Sequence, residues 1–243
     1  MNQTIKIAMW SGPRNLSTAM MRSFGARSDT ICTDEPFYAA FLQLTGIDHP
    51  MREETLAVHE SDPQRVARSL LKDGAGIHYQ KHMTHHMVDG IPRDWMASVR
   101  HAFLIRHPAR VLASYARKRE RATLDDIGFP LQAELYDWAS NRSSAQPVII
   151  DSDDILRAPE PALKALCKAL DIRFDPAMLS WAPGPKPEDG AWAPHWYDAV
   201  NASTGFGKPP GPIPPVAQDQ QPILSAAMPI YERLAEYRLR VPA

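Results

Sequence analysis

The sequence is short of cysteine, of net charge and of long apolar runs, and each shortage removes a class of protein. Its two cysteines, Cys32 and Cys167, stand far apart, with no CxxC pair and no histidine at ligand spacing. That pattern excludes a disulfide framework and a zinc module and points to a reducing, cytoplasmic setting. With 27 Lys+Arg against 28 Asp+Glu the net charge is −1, without the basic excess of a general nucleic-acid binder. No stretch approaches the ~20 apolar residues of a membrane-spanning helix, and the first residues lack the charged-then-apolar pattern of a secretory leader. The 243 residues read as a single unexported domain, 1–243, long enough to bury a core without staples.

Proline is in excess. The chain has 23, nearly twice the ~5% average, and they crowd between Pro183 and Pro222 among Gly184, Gly190, Gly205, Gly207 and Gly211. Such a stretch cannot be a run of helices. It also carries Trp192, Trp196, Tyr197 and Phe206, large aromatics that a solvated linker does not need. Elsewhere short apolar runs alternate with segments of helical period. Residues 5–10, 30–33, 76–80, 101–105 and 147–150 read as strands. Helices are expected over 17–26, capped by Asn15 or Ser17, and over 37–44, 63–72, 108–121, 131–142, 161–170 and 222–240. Strands alternating with helices imply right-handed crossovers and a mostly parallel sheet covered on both faces, a three-layer α/β fold. Trp95 and Trp138 are expected in the core, and Asp153-Asp154 as helix caps.

In open α/β sheets ligands sit outside the carboxyl ends of the strands. The turn after the first strand, Ser11-Gly12-Pro13-Arg14-Asn15-Leu16-Ser17-Thr18, joins a tight turn, a cation, two hydroxyls and a helix N-terminus. Backbone N–H groups and the helix dipole there favour phosphate or sulfate. The turn lacks the second Gly and the Lys-[ST] pair of G-x-x-x-x-G-K-[ST], which disfavours a P-loop kinase or nucleotide hydrolase and calls for no metal. The turn after the fourth strand places Arg106 at a strand end and Ser114 along the next helix, in a run with Arg110, Arg117, Lys118, Arg119 and Arg121. The last four read as a solvated helix face. Two anion-binding turns suggest a ligand with two separate anionic ends.

These segments carry a resemblance. The first turn resembles the 5′-phosphosulfate loop of the sulfotransferases, and IRHPARVLASY is similar to their 3′-phosphate motif, with Arg106, Pro108, Ser114 and Tyr115 in register. The stretch from Val148 to Pro176, VIIDSDDILRAPEPALKALCKALDIRFDP, is similar to a third family segment. The likeness covers about 5–176 and is closest to a branch in which WSxPRSxST and DEPFYA recur, some members of which are named after aminotransferases. No pyridoxal site is evident, so aminotransferase activity is set aside. The resemblance implies a P-loop-like α/β fold that moves a sulfuryl group from 3′-phosphoadenosine 5′-phosphosulfate to a hydroxyl or amine of a small-molecule, sugar or lipid acceptor. It implies that Arg14 neutralises the leaving phosphate, that Asn15, Leu16, Ser17 and Thr18 bind the 5′ end, and that Arg106 and Ser114 bind the 3′-phosphate. A non-catalytic nucleotide-binding protein is the other reading, and a homodimer is compatible with either.

Asn15-Leu16 replaces the family's Ser-Gly, so a different loop shape is expected where Gly tolerates positive φ. Two groups compete as general base. Glu35, in Asp34-Glu35-Pro36, is similar to the Glu-Pro motif that carries the base in carbohydrate sulfotransferases. In the histidine cluster, Lys81-His82-Met83 stands where cytosolic sulfotransferases have Lys-Thr-His. A one-residue shift reverses the side of a strand, which sets His82 aside and leaves His85 or His86. The reading favours Glu35, with Lys81 as electrostatic helper and His85 as the competing base. By position in the family, 183–222 reads as a lid over the cofactor's 3′ end, with Lys208 as its cation.

Overall fold

The computed structural model describes residues 4–74, 76–116 and 122–242. The elements run β1 (Ile5–Ser11), α1 (Ser17–Gly25), β2 (Thr30–Asp34), α2 (Tyr38–Thr45), α3 (Arg52–Val58), α4 (Pro63–Leu70) and β3 (Ile77–Met83). They continue through β4 (Arg100–Ile105), α5 (Pro108–Tyr115), α6 (Phe129–Arg142), β5 (Val148–Asp151), α7 (Ser152–Arg157) and α8 (Pro159–Ala169). Two single-turn helices, α9 (Ala193–Trp196) and α10 (Asp198–Asn201), precede the long α11 (Gln221–Glu236). The five strands form one parallel sheet in the order β2-β3-β1-β4-β5. The chain lays β2 and β3 on one side of β1 and β4 and β5 on the other, so the strand order reverses beside β1. A ligand crevice is expected at that reversal.

Alternation along β1 supplies both layers of core. Ile7 and Met9 pack with Met20, Met21, Phe24 and Tyr79 on one face, while Ala8 and Trp10 pack with Trp95, Phe103 and Leu234 on the other. Trp95 is buried as expected, and Trp138 packs half-buried against the second face. Helix starts follow local chemistry: the Asp62 side chain accepts from the N–H groups of Gln64 and Arg65, and Pro63 occupies the first helical position.

The elements differ from the sequence reading in particular places. β3 runs on to Met83, so Lys81 and His82 lie within the strand rather than beyond it. α3 and α7 are additional helices, too short to show a helical period. α1 starts at Leu16 in the left-handed conformation, not at a side-chain cap from Asn15 or Ser17. α7 is capped by Asp151, whose carboxylate accepts from the Asp153 N–H at 2.8 Å, while Asp153 instead pairs with Arg110. Of the basic run, Arg117, Lys118, Arg119 and Arg121 lie outside the described residues.

Asp151 also accepts a hydrogen bond from the Tyr231 hydroxyl at 2.8 Å. Burial pushes its carboxyl up to about 6, against ~3.9 in an unfolded chain. The folded state therefore holds that proton more tightly, so this group's contribution is complete below pH ~4 and is lost as pH rises through about 6. We expect Asp151→Asn to flatten the pH dependence of unfolding free energy by roughly 2–3 kcal/mol over that window. Urea titrations at pH 4 and pH 7 check it, and an unchanged slope in the variant contradicts it.

The proline-rich stretch divides in two. Its first part is anchored: Trp192 and Tyr197 are buried, and Asp189 accepts from Arg22 at 2.5 and 2.7 Å in a pair shielded from solvent. Residues 208–217 are mostly exposed and run over the surface towards α11.

Candidate active site

The carboxyl ends of β1, β2, β3 and β4 open into a cleft of about 410 Å³. One end is built by the turn between β1 and α1. Gly12 is required there, because a Cβ would lie 2.3 Å from the Ile127 carbonyl oxygen. Arg14 and Leu16 take positive φ, 62° and 70°, so the loop keeps the left-handed backbone without glycine, at a cost of about 1–2 kcal/mol per residue. Asn15 is buried and ties the turn to β4 through Nδ2 on the Leu104 carbonyl at 3.3 Å. The Ser152 hydroxyl reaches the Asn15 carbonyl at 3.0 Å. Ser17, Thr18 and Ala19 line the cleft at the start of α1, where no side chain caps the helix. Their N–H groups are a ready anion site.

Two arginines converge on this turn from 92 positions apart. Arg14 Nε donates to Ser114 Oγ at 3.0 Å, and an Arg106 amino group donates to the Arg14 carbonyl at 2.7 Å. Arg106 makes no ion pair among the described residues, and its Nε is buried without a partner. Burial and the neighbouring Arg110 and Arg14 work against its charge and lower its pKa, yet a guanidinium stays cationic at any physiological pH. Partly buried positive charge with an idle donor beside a bare helix start is a site fitted to an anion. Asp126, which also lines the cleft, is committed to the Thr123 N–H at 2.9 Å.

Further along, β2 and β3 end on a buried charged network. Parallel register sets Asp34 against Lys81. The Lys81 ammonium donates to Asp34 Oδ1 at 2.8 Å, to Glu35 Oε1 at 2.5 Å and to the Tyr197 hydroxyl at 2.6 Å. Tyr197 in turn donates to Asp34 Oδ2 at 2.7 Å and accepts from Trp192 Nε1 at 3.2 Å. All three Lys81 donors are therefore used. Burial opposes charge on Lys81, but Asp34, Glu35 and Tyr197 together hold its pKa well above the ordinary lysine value. Burial pushes the Glu35 carboxyl upward against the pull of Lys81. Burial also holds Tyr197 protonated, which keeps it a donor to Asp34.

The histidines separate cleanly. His82 points to the far face of the sheet, stacked on Trp10 with centroids 4.5 Å apart and on Trp95 at 5.1 Å. His86 lies 3.9 Å from Glu35 Oε2, and burial holds its pKa well below the ordinary histidine value. His85 lines the cleft with its ring edge-on to Phe41 and to His86. The cleft thus gathers Arg14, Asn15, Leu16, Ser17, Thr18, Arg106 and Ser114 at one end and Glu35, Lys81 and His85 at the other. Lys208 is exposed and is not among the residues lining the cleft, although Gly205 and Gly207 are. Sequence reasoning missed Asp34 and Tyr197. For Asp34 a signal was available, an acid adjoining Glu35 at the end of one strand while a lysine ends another.

The family model for the sulfotransferase domain matches residues 5–237. Two Arabidopsis thaliana proteins, named branched-chain-amino-acid aminotransferase-like proteins 1 and 2, are 36% and 37% identical over 236 and 233 residues. Those alignments cover 95% and 94% of this chain but only 42% and 41% of the relatives, so the chain spans about two fifths of their length. Among solved structures, the sulfotransferase domain from the curacin biosynthetic pathway superposes with a TM-score of 0.55 at 16% identity, covering 99% of this chain and 100% of that one.

Proposed function

The chain belongs to the sulfotransferase domain family, and from that premise we propose that it transfers a sulfuryl group from 3′-phosphoadenosine 5′-phosphosulfate to an acceptor hydroxyl or amine, in the cytoplasm. The observation that carries this reading is one cleft with, at one end, an arginine that makes no ion pair among the described residues beside a bare helix start and, at the other, a buried carboxylate of raised basicity. Arg14 and the first N–H groups of α1 hold the 5′ end, and Arg106 with Ser114 holds the 3′-phosphate. Glu35 removes the acceptor's proton as the acceptor oxygen bonds to sulfur and the bond from sulfur to the 5′-phosphate oxygen breaks. Arg14 neutralises the charge left on that phosphate. Lys81 acts through Glu35, since its donors are already spent on Asp34, Glu35 and Tyr197. The anchored part of the proline-rich stretch walls the cleft through Trp192, Trp196 and Tyr197, and the exposed part carries Lys208 over the 3′ end on closure.

Adenosine 3′,5′-bisphosphate is expected to raise the melting temperature more than ATP·Mg²⁺ does, with about 2.7 kcal/mol of stabilisation at 100 times its Kd. Labelled sulfate should then move from the donor to an acceptor in a metabolite extract. Stronger stabilisation by ATP·Mg²⁺ points to phosphoryl chemistry. Tight nucleotide binding with no movement of label points to a binding protein without turnover.

A further inference from the structure

The acceptor end of the cleft has a composition of its own. Beyond Glu35 its walls are Tyr38, Phe41, Ile47, Trp196 and Val200 with a few histidines. The rings form one continuous surface: Tyr38 stacks on His86 at 4.7 Å and meets Trp192 edge-on at 4.8 Å, while His49 stacks on Trp196 at 5.7 Å. The hydroxyls and the ammonium of this wall are committed within the protein, while His86 Nδ1 is one buried nitrogen left without a hydrogen-bond partner. The Tyr38 hydroxyl is bonded to His49 Nδ1, the Tyr197 hydroxyl makes three hydrogen bonds, and Lys81 has no donor left. A molecule with many hydroxyls would bury groups that find few partners, which costs more than leaving them in water.

Charge narrows the choice again. Asp34, Glu35 and Lys81 together carry a net −1 when Glu35 is ionised, as a base must be. From the neighbouring turn His86 faces Glu35 Oε2 at 3.9 Å, and burial keeps it neutral. The other cations lining the cleft, Arg14 and Arg106, belong to the donor end. An anionic acceptor would place like charge beside the base.

Resting on the sulfotransfer reading above, we infer that the acceptor is a molecule with an apolar body and a single reactive hydroxyl, bearing no negative charge, rather than a sugar or a hydroxy acid. Isothermal titration calorimetry on the full chain saturated with adenosine 3′,5′-bisphosphate tests this with three probes. These are 4-methylbenzyl alcohol, its carboxylate counterpart 4-(hydroxymethyl)benzoate, and methyl glucoside. The alcohol is expected to bind at least tenfold more tightly than the carboxylate, with no measurable heat from the glucoside. Val200→Asp, at a half-buried wall position, should weaken the alcohol at least tenfold while leaving the bisphosphate affinity unchanged. Carboxylate or glucoside binding as tight as the alcohol overturns the inference, as does a Val200→Asp protein that holds bisphosphate normally and binds the alcohol as before. Failure of the sulfotransfer reading looks different: the alcohol binds in the expected order, but labelled sulfate never reaches it or any other acceptor.

Discussion

Glu35→Gln lowers kcat by about 10²–10⁴-fold and abolishes the fall in rate on the acid side of the pH profile. The substitution keeps the size of the side chain and an oxygen that can still accept from Lys81 at the position now 2.5 Å away, so the network survives while the proton acceptor is lost. Burial raises the Glu35 carboxyl above the ordinary glutamate value. A base works only when unprotonated, so the wild-type rate declines as pH falls through that raised value and is full above it. His85→Ala supplies the contrast. With Glu35 as the base, it lowers the rate modestly and leaves the acid limb in place. If the limb instead vanishes with His85→Ala and persists in Glu35→Gln, the roles are reversed. Circular dichroism and melting temperature on both variants separate loss of chemistry from loss of fold.

Arg14→Ala lowers kcat by about 10²–10³-fold, with a much smaller loss of affinity for adenosine 3′,5′-bisphosphate. Two contacts explain the asymmetry. The Arg14 carbonyl accepts from Arg106 and would still do so in the variant, so the shape of the turn and the position of Arg106 persist. In the proposed reaction the guanidinium, braced by Ser114 at 3.0 Å, faces charge that grows mainly as the sulfur–oxygen bond breaks. An interaction made chiefly in the transition state is read in kcat rather than in ground-state binding. Arg106→Ala should show the opposite balance, weakening bisphosphate binding first. Equal losses of affinity in both variants would remove the distinction between leaving-group and 3′-phosphate roles.

The turns after β1 and β4 were legible in the sequence because each is local: a strand, a tight turn and a helix start within about a dozen residues. The five strands were legible for the same reason, as short apolar runs bounded by turn residues. β3 was read too short because Lys81 and His82 are polar yet buried. Their partners lie elsewhere in the chain: Asp34 for Lys81, and the rings of Trp10 and Trp95 for His82. The loop at Asn15-Leu16 was read as a departure in shape, whereas Leu16 itself adopts the positive φ that glycine would supply. Periodicity does not report a residue held in a strained conformation by its surroundings. Tyr197 was invisible as a site residue because its partner Asp34 is 163 positions away.

That separation has a consequence for how the site comes into being. During synthesis the turn after β1, the carboxylates and the lysine emerge before the tyrosine, which follows Asp34 by 163 positions. The tyrosine that engages Asp34 and Lys81, and the Gly190 N–H that donates to Asp34 at 3.2 Å, emerge only later. Contacts this distant in sequence form slowly, after the local ones. Until they form, Asp34 and Lys81 lack partners that the finished protein gives them, and the charged trio sits open to water. Glu35 thus acquires its environment only after the long-range contacts around Asp34 and Lys81 close, so maturation of the site reports long-range assembly of the fold.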